Sequence, residues 1–386
     1  MALNQLDSVS IDHAGGGTRT LMLCQGDITK MSSADAVDFI CVSALPGDYL
    51  PTPGSVIGAL NAAGVSVRQE AANKAANYEP AMPCWVSQDL SAKGLHFKRF
   101  ILFEPADPKT NSGWDVTLIF RALNCFVGTQ ASSIAVPMVS TGSGGADFTV
   151  ILRQLFYMAA HWGSLAAWPL QTIKLVVYSD SEAQQARTQF KSMKASYQNP
   201  PLNSTALPAA LAAKLQAKYG LTAVDGLPSG MTQKQYNYVR AYTGSTYYAV
   251  NNALRTDSLT NASYIHWLPT IEAISSGLAN LPNFSGLTQR GTNLPQSTIN
   301  KYKVGAIIMH YGFTSTSRTH AWAGDCLLKI TSVTGKDVEH ISHFPSENEV
   351  LYDYHMTDKV TAVGGAWGGY KHVFTSTQYV PDWCGR

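Results

Sequence analysis

Five short apolar runs, rich in β-branched and aromatic residues, recur through the first half of the chain, at 20–24, 37–42, 99–103, 134–138 and 173–178. Each is too short for a buried helix and reads as a strand covered on both faces. Between them lie stretches of helical period, at about 54–76, 112–128 and 146–168, with another near 181–195. Strands separated by helices of that length must cross over rather than turn back. They predict a largely parallel sheet with helices on both faces. Ligands of such sheets collect outside the carboxyl ends of the strands.

The pattern stops at 196–208, SYQNPPLNSTALP, which has no apolar period and contains a Pro-Pro pair. This segment reads as a linker. Beyond it the order changes, with helical stretches first (209–219, 232–255, 263–280) and short strands afterwards (286–290, 304–310, 325–333, 348–352, 371–376). Helices followed by strands predict a second domain of α+β class. A length of 386 residues accommodates both.

Lys plus Arg number 28 against 26 Asp plus Glu, so no polybasic signature points to duplex nucleic acid. The six cysteines include no CxxC pair, and Cys24 and Cys41 stand inside apolar runs, as buried free thiols do. A reducing compartment is expected. The N-terminus lacks a basic and apolar leader, and Gly15, Gly16 and Gly17 read as a flexible lead-in. The uncharged stretch 154–173 is interrupted by His161, Gly163 and Pro169, so a buried helix is expected there and no membrane partner.

The chemistry is concentrated in the second half. Arg290 and Gly291 end a short strand; Gly312-Phe313-Thr314-Ser315-Thr316-Ser317 follows an aromatic residue with a hydroxyl run; Glu347 and Glu349 flank Asn348 before an apolar run. Arginine is the residue for bidentate recognition of a diphosphate. Hydroxyls on alternate strand positions can bond a ribose and a neighbouring carboxylate. Glutamates at i and i+2 on a strand share one face, and a carboxylate beside a sugar ring can stabilise an oxocarbenium-like transition state. That chemistry requires no metal.

In this order the three motifs resemble the arginine-specific mono-ADP-ribosyltransferases, the R-S-E class of bacterial toxins and their vertebrate relatives. Val239-Arg240-Ala241-Tyr242-Thr243-Gly244, with Tyr247-Tyr248 and Val250 to Arg255, resembles the helix these enzymes carry ahead of the arginine strand. Phe344 to Leu351 resembles their recognition turn running into E-x-E. The resemblance covers about 205–386 and implies an ADP-ribosyltransferase fold that uses NAD. Arg290 would hold the diphosphate, with Gly291 letting the strand turn beneath it. Ser315 would position the nicotinamide ribose and Glu349, while Phe313 and Thr316 are also expected at the cofactor. Glu349 would stabilise the oxocarbenium ion. Glu347 would deprotonate the acceptor guanidinium, with Phe344 as the aromatic residue of recognition. His310, His320 and His343 are expected to serve packing or the surface. Two alternatives stay open: an NAD glycohydrolase, and a scaffold that reads ADP-ribose or NAD without catalysis.

Residues 18–195 resemble a macrodomain, the three-layer α/β/α module that binds ADP-ribose. Gly26-Asp27-Ile28-Thr29 follows the first strand, where the resemblance places Asp27, with Ile28 beside it, at the adenine. Ser140, Thr141, Gly142, Ser143, Gly144 and Gly145 stand between a strand and a helix, where loop amides and a helix dipole attract phosphates. The Asn-Ala-Ala-Asn stretch and glycine run of hydrolytic members are replaced here by Ser43 to Tyr49 and Thr52 to Val56. Binding is therefore implied more than hydrolysis. The partners implied are NAD, an arginine-bearing macromolecule, most simply a protein, and ADP-ribose or its conjugates. The location implied is cytoplasmic, with delivery into a target cell that needs no leader of the usual kind.

Overall fold

The computed structural model describes residues 3–13, 16–79, 82–107, 109, 112–127, 132–165, 169–201, 231–256 and 258–380. The chain divides into two compact units, Met1–Asn199 and Pro200–Arg386.

In the first unit, β2 (Thr18–Gln25), β3 (Val37–Ser43), β6 (Phe97–Phe103), β7 (Ser132–Pro137) and β8 (Leu170–Val177) form a parallel core in the order β2-β8-β7-β3-β6. Two-sided burial explains their unbroken apolar runs. Ile40 and Val42 of β3 pack with Ile57 and Leu60 of α1 (Val56–Ala62) and Val67 of α2 (Val67–Ala72). Phe39, pointing the other way, meets Phe126 of a helix at Thr117–Val127 edge-on, with centroids 5.9 Å apart. The helix Phe148–Ser164 packs Phe156 against Phe190 of the helix Asp180–Gln198, at 5.0 Å.

Three strands lie outside the parallel core. β1 (Asn4–Asp12) pairs antiparallel with β2, while β4 (Ala76–Asn77) and β5 (Cys84–Val86) extend the opposite edge. The expected lead-in at the N-terminal glycines is corrected. Gly16 and Gly17, at φ 86° and 90°, make the hairpin turn between β1 and β2, with the Gly16 amide on the His13 carbonyl at 3.0 Å. Gly15 lies outside the described residues. The expected linker is corrected at its start. The helix Asp180–Gln198 continues through 196–198, and Tyr197 packs on Phe156 at 6.2 Å. Residues 202–208 and the helix expected at 209–219 fall outside the described residues.

The second unit begins its described part with α-helix Gln233–Ala241, a π turn at Tyr242–Thr246, helix Tyr247–Leu254 and helix Ala262–Ala279. A seven-stranded sheet follows, in the order β10-β14-β15-β12-β13-β11-β9. These are β9 (Asn283–Thr292), β10 (Ile307–His310), β11 (Thr314–Ser317), β12 (Cys326–Asp337), β13 (Glu349–Tyr352), β14 (Met356–Gly364) and β15 (His372–Gln378). β9 also pairs along β12 and reaches β11 at Gln289–Ser317. β14 was not among the strands expected; its MTDKVTAVG mixes charge and glycine with the apolar positions. The stretch 154–173 is the end of a helix and the start of β8, and among the described residues no helix is long and apolar enough to cross a membrane.

Candidate active site

β11 is the centre of the site. It pairs with β13 so that Ser315 stands opposite Leu351 and Ser317 opposite Glu349. On a strand, alternate residues share a face. Ser315 and Ser317 therefore look one way, while Thr314 and Thr316 enter the core. Ser315 donates its hydroxyl to Oε1 of Glu349. Its carbonyl accepts from Nη1 of Arg290 at 2.6 Å. Cation, hydroxyl and carboxylate thus form one chain of contacts across β9, β11 and β13.

Glu349 is 3% exposed. Burial pushes its carboxyl up to about 7, and the nearby Glu347 adds to the rise; the Ser315 hydrogen bond and the Arg290 charge oppose it. The same burial lowers the affinity of Arg290 for its proton, against the pull of Glu349. Glu347 belongs to a short 3₁₀ turn, Pro345–Glu347, and not to a strand. The i, i+2 argument for a shared face is therefore corrected. Asn348, at φ 49°, is left-handed and re-aims the chain, so that both glutamates reach one cleft. Asparagine tolerates that conformation better than most residues. Ser317 fixes the turn from below by donating to the Glu347 carbonyl at 2.6 Å.

Arg290, Ser315, Glu347 and Glu349 line a cleft of about 440 Å³ with Tyr242, Thr243, Gly244, Tyr247, Asn251, Gly291, Trp322 and Phe344. Such a volume is within the range of small-molecule sites. The π turn brings Tyr242 to Gly244 to the wall, and π turns inside helices gather at functional sites. Asn251 donates to the Tyr242 hydroxyl at 3.0 Å, tying the turn to the next helix.

Several expectations change. Phe313 is 2% exposed and packs on Tyr242 at 5.1 Å and Tyr354 at 5.5 Å, away from the cleft. Thr316 is fully buried and donates to the Val350 carbonyl at 2.7 Å. Neither lines the cleft, because strand alternation turns Thr316 inward and the aromatic core takes Phe313. Gly291 lines it, for another reason than a turn. β9 continues through Thr292, and a Cβ on Gly291 would fall 1.4 Å from the Trp322 carbonyl oxygen. The glycine permits that close approach, and the Tyr370 hydroxyl holds the same carbonyl at 2.9 Å. Trp322 escaped the sequence reading, since a tryptophan in a loop carries no motif. His310 meets Asp358 at 3.2 Å and His320 meets Ser317 at 3.2 Å. His343 packs beside the site; burial first, then the charge of Arg240, lower it to about 4, so it is neutral at pH 7. Among the described residues, no group of three or more His, Cys, Asp or Glu is placed to hold a metal ion.

Residues 216–373 match the family model of the ADP-ribosyltransferase exoenzymes. By that match, residues 216–373 of the C-terminal unit resemble an ADP-ribosyltransferase exoenzyme domain. The putative NAD(+)–arginine ADP-ribosyltransferase Mav of Mycobacterium avium (strain 104) is 37% identical over 117 residues, 29% of this chain and 14% of that protein. The NAD(+)–protein-arginine ADP-ribosyltransferase Tre1 of Serratia proteamaculans (strain 568) is 32% identical over 127 residues, 32% of this chain and 27% of that protein. The chain spans less than a third of the length of either relative. Among solved structures, the type III effector XopAI from Xanthomonas axonopodis pv. citri, lacking 70 N-terminal residues, matches with a TM-score of 0.36 and 16% identity, over 70% of this chain and 100% of that one.

The N-terminal unit has its own cleft at the carboxyl ends of its strands. One part, about 360 Å³, is lined by Ser43, Pro137, Ser140, Gly142, Ser143 and Gly144 with residues 52–56. The other, about 650 Å³, includes Gly26, Asp27, Ile28 and Lys30 and shares residues 53–56 with the first. Ser140 holds φ 62° and donates its amide to Ser43 Oγ at 3.2 Å. Thr141 and Gly145 are outside this lining. The Thr141 hydroxyl donates to the Met138 carbonyl at 2.8 Å, and Gly145 closes a turn on the Gly142 carbonyl at 3.0 Å. The helix N-terminus beyond the loop is already capped, since Asp147 accepts from the Val150 amide at 2.8 Å. Any anion here depends on loop amides more than on that dipole. Asp27 accepts from the Thr29 amide and hydroxyl at 2.9 and 2.6 Å and pairs with Lys30 at 3.2 Å. Burial raises its carboxyl, but these bonds outweigh burial and hold it below the ordinary value.

Proposed function

We propose that the C-terminal unit transfers ADP-ribose from NAD to a guanidinium group, such as an arginine side chain of a protein, and releases nicotinamide. The observation that carries this reading is the chain from Arg290 through Ser315 to the buried Glu349, opening on a cleft that Glu347 and Phe344 also line. The family match and the names of the curated relatives support it.

The donor set fits the group. Arg290 supplies a fixed cation for a diphosphate. Glu349, once ionised, faces the positive charge that grows on the ribose as its bond to nicotinamide breaks. The electron pair of that bond leaves with the nicotinamide ring. A guanidinium nitrogen then bonds the ribose carbon and gives its proton to Glu347. Aimed charge in a buried site is where enzymes gain most.

The N-terminal unit, on the same proposal, is macrodomain-like and holds ADP-ribose, with Asp27 toward the adenine and Ser140, Gly142, Ser143 and Gly144 toward the phosphates. The positions of those residues along one cleft support this. The proposed setting is the cytoplasm of a cell into which the protein is delivered.

Nicotinamide release from NAD, measured with and without agmatine as a simple guanidine, tests the first reading. Release accelerated by agmatine, with an ADP-ribosyl-agmatine adduct by mass, supports transfer; release with no adduct makes the protein a glycohydrolase. For the second, ADP-ribose is titrated into the full chain carrying Arg290→Ala, so that the C-terminal cleft contributes little. Heat that Gly144→Glu abolishes supports the N-terminal site, and absence of heat removes it.

A further inference from the structure

The segment Ile341 to Phe344, which leads into the turn carrying Glu347, meets the end of helix Gln233–Ala241 and the π turn that follows it at three points. Arg240 donates from Nη1 to the Ile341 carbonyl at 3.0 Å, across 101 residues of sequence. The His343 amide donates to Thr243 Oγ1 at 3.0 Å, and that hydroxyl donates in turn to the Arg240 carbonyl at 2.8 Å. The His343 ring lies so close to Gly244 that a Cβ there would be 2.8 Å from its Cδ2. The far end of the same turn is held separately, by Ser317 on the Glu347 carbonyl.

The acceptor side of the cleft is thus clamped at both ends, while Glu349 is held on its own through Ser315. Loosening one clamp need not disturb the other. Water can attack a ribose from many approaches, whereas a guanidinium must be aimed and deprotonated by a glutamate in place. A misplacement of about 1 Å can cost such a step on the order of a hundredfold.

We propose that Arg240 is a positioning residue: by tying the end of the helix that enters the π turn to Ile341 it sets where Phe344 and Glu347 stand, and so decides whether ADP-ribose passes to a guanidinium or to water. This inference rests on the transfer reading above. Arg240 is not among the residues lining the cleft and acts through the segment it holds.

The test uses the full chain with NAD and agmatine. Arg240→Met, which keeps the apolar stem and removes the donor, should lower the ratio of agmatine adduct to free ADP-ribose about tenfold, and raise the agmatine KM by a similar factor. The KM for NAD should stay within about twofold, and Arg240→Lys, which can still donate to Ile341, should recover most of the ratio. An unchanged ratio in folded Arg240→Met, or equal loss of transfer and NAD cleavage, overturns the proposal. Should Arg240→Met not fold, Thr243→Val decides: it removes the hydroxyl that receives the His343 amide, and it must lower the same ratio. A wild-type chain that makes no agmatine adduct defeats the functional reading itself, an outcome distinct from any change in ratio.

Discussion

The guanidinium of Arg290 rests on the carbonyl of Ser315, 2.6 Å away, while the hydroxyl of that same serine binds Glu349. One residue of a four-residue strand therefore positions both charged groups of the site. A side-chain change at Ser315 removes its hold on Glu349 and leaves in place the carbonyl that receives Arg290.

Glu349→Gln should remove both nicotinamide release and transfer, because the neutral amide cannot face the growing positive charge. The loss expected is on the order of a hundredfold or more in kcat, roughly 3 kcal/mol. Steady-state nicotinamide release checks it, with circular dichroism to confirm the fold; near-normal turnover contradicts the role.

Glu347→Gln should divide the two activities. Transfer to agmatine should drop at least tenfold, since the acceptor loses its base, while NAD cleavage persists at a measurable rate. Equal losses would mean that the two glutamates share one task.

A pH profile follows from burial of Glu349. Its carboxyl is raised to about 7, so kcat/KM for NAD should rise with pH toward 7 as the ionised form accumulates. Ser315→Ala removes a bond that favours ionisation and should move this limb to higher pH. Stability runs in the opposite sense. Between the ordinary carboxyl value and 7 the folded state binds the extra proton, so this group's contribution falls as pH rises. The melting temperature of Glu349→Gln should therefore decline less over that interval than that of the parent. Parallel curves would contradict the shift.

Gly291→Ala should destabilise the protein, by about 1–3 kcal/mol, because the new methyl group must displace the Trp322 backbone. Thermal unfolding measures the loss. Nicotinamide release should fall as well, since Trp322 forms part of the cleft wall.

Much of this was legible in the sequence, for reasons that differ by residue. The parallel strands announced themselves because two-sided burial demands continuous apolar runs, as in Val37–Ser43. β1, β4 and β5 lie toward the edges of the sheet, where one-sided or brief pairing leaves a weaker pattern. That Arg290, Ser315, Glu347 and Glu349 share one cleft was readable because charge and hydroxyl chemistry is carried by residue type. Phe313 and Thr316 were misplaced because adjacency in sequence is not adjacency on a strand face. Tyr242 to Gly244 reached the wall through a π turn, and nothing in YTGST distinguishes it from an ordinary helical turn. Trp322 depends on a backbone contact with Gly291 that no local pattern encodes.

Arg290, Ser315 and Glu349 stand on three strands, β9, β11 and β13, that are closed into a ring of pairings by β12. None of the three can be brought together by a local hairpin, since 25 and 34 residues separate the successive members. Long-range pairing of this kind is slow to form and is lost as a unit. Competence for the proposed transfer is then a cooperative property of the whole sheet. Loss of NAD cleavage in denaturant should coincide with loss of this unit's sheet structure, with no partly unfolded state that still acts.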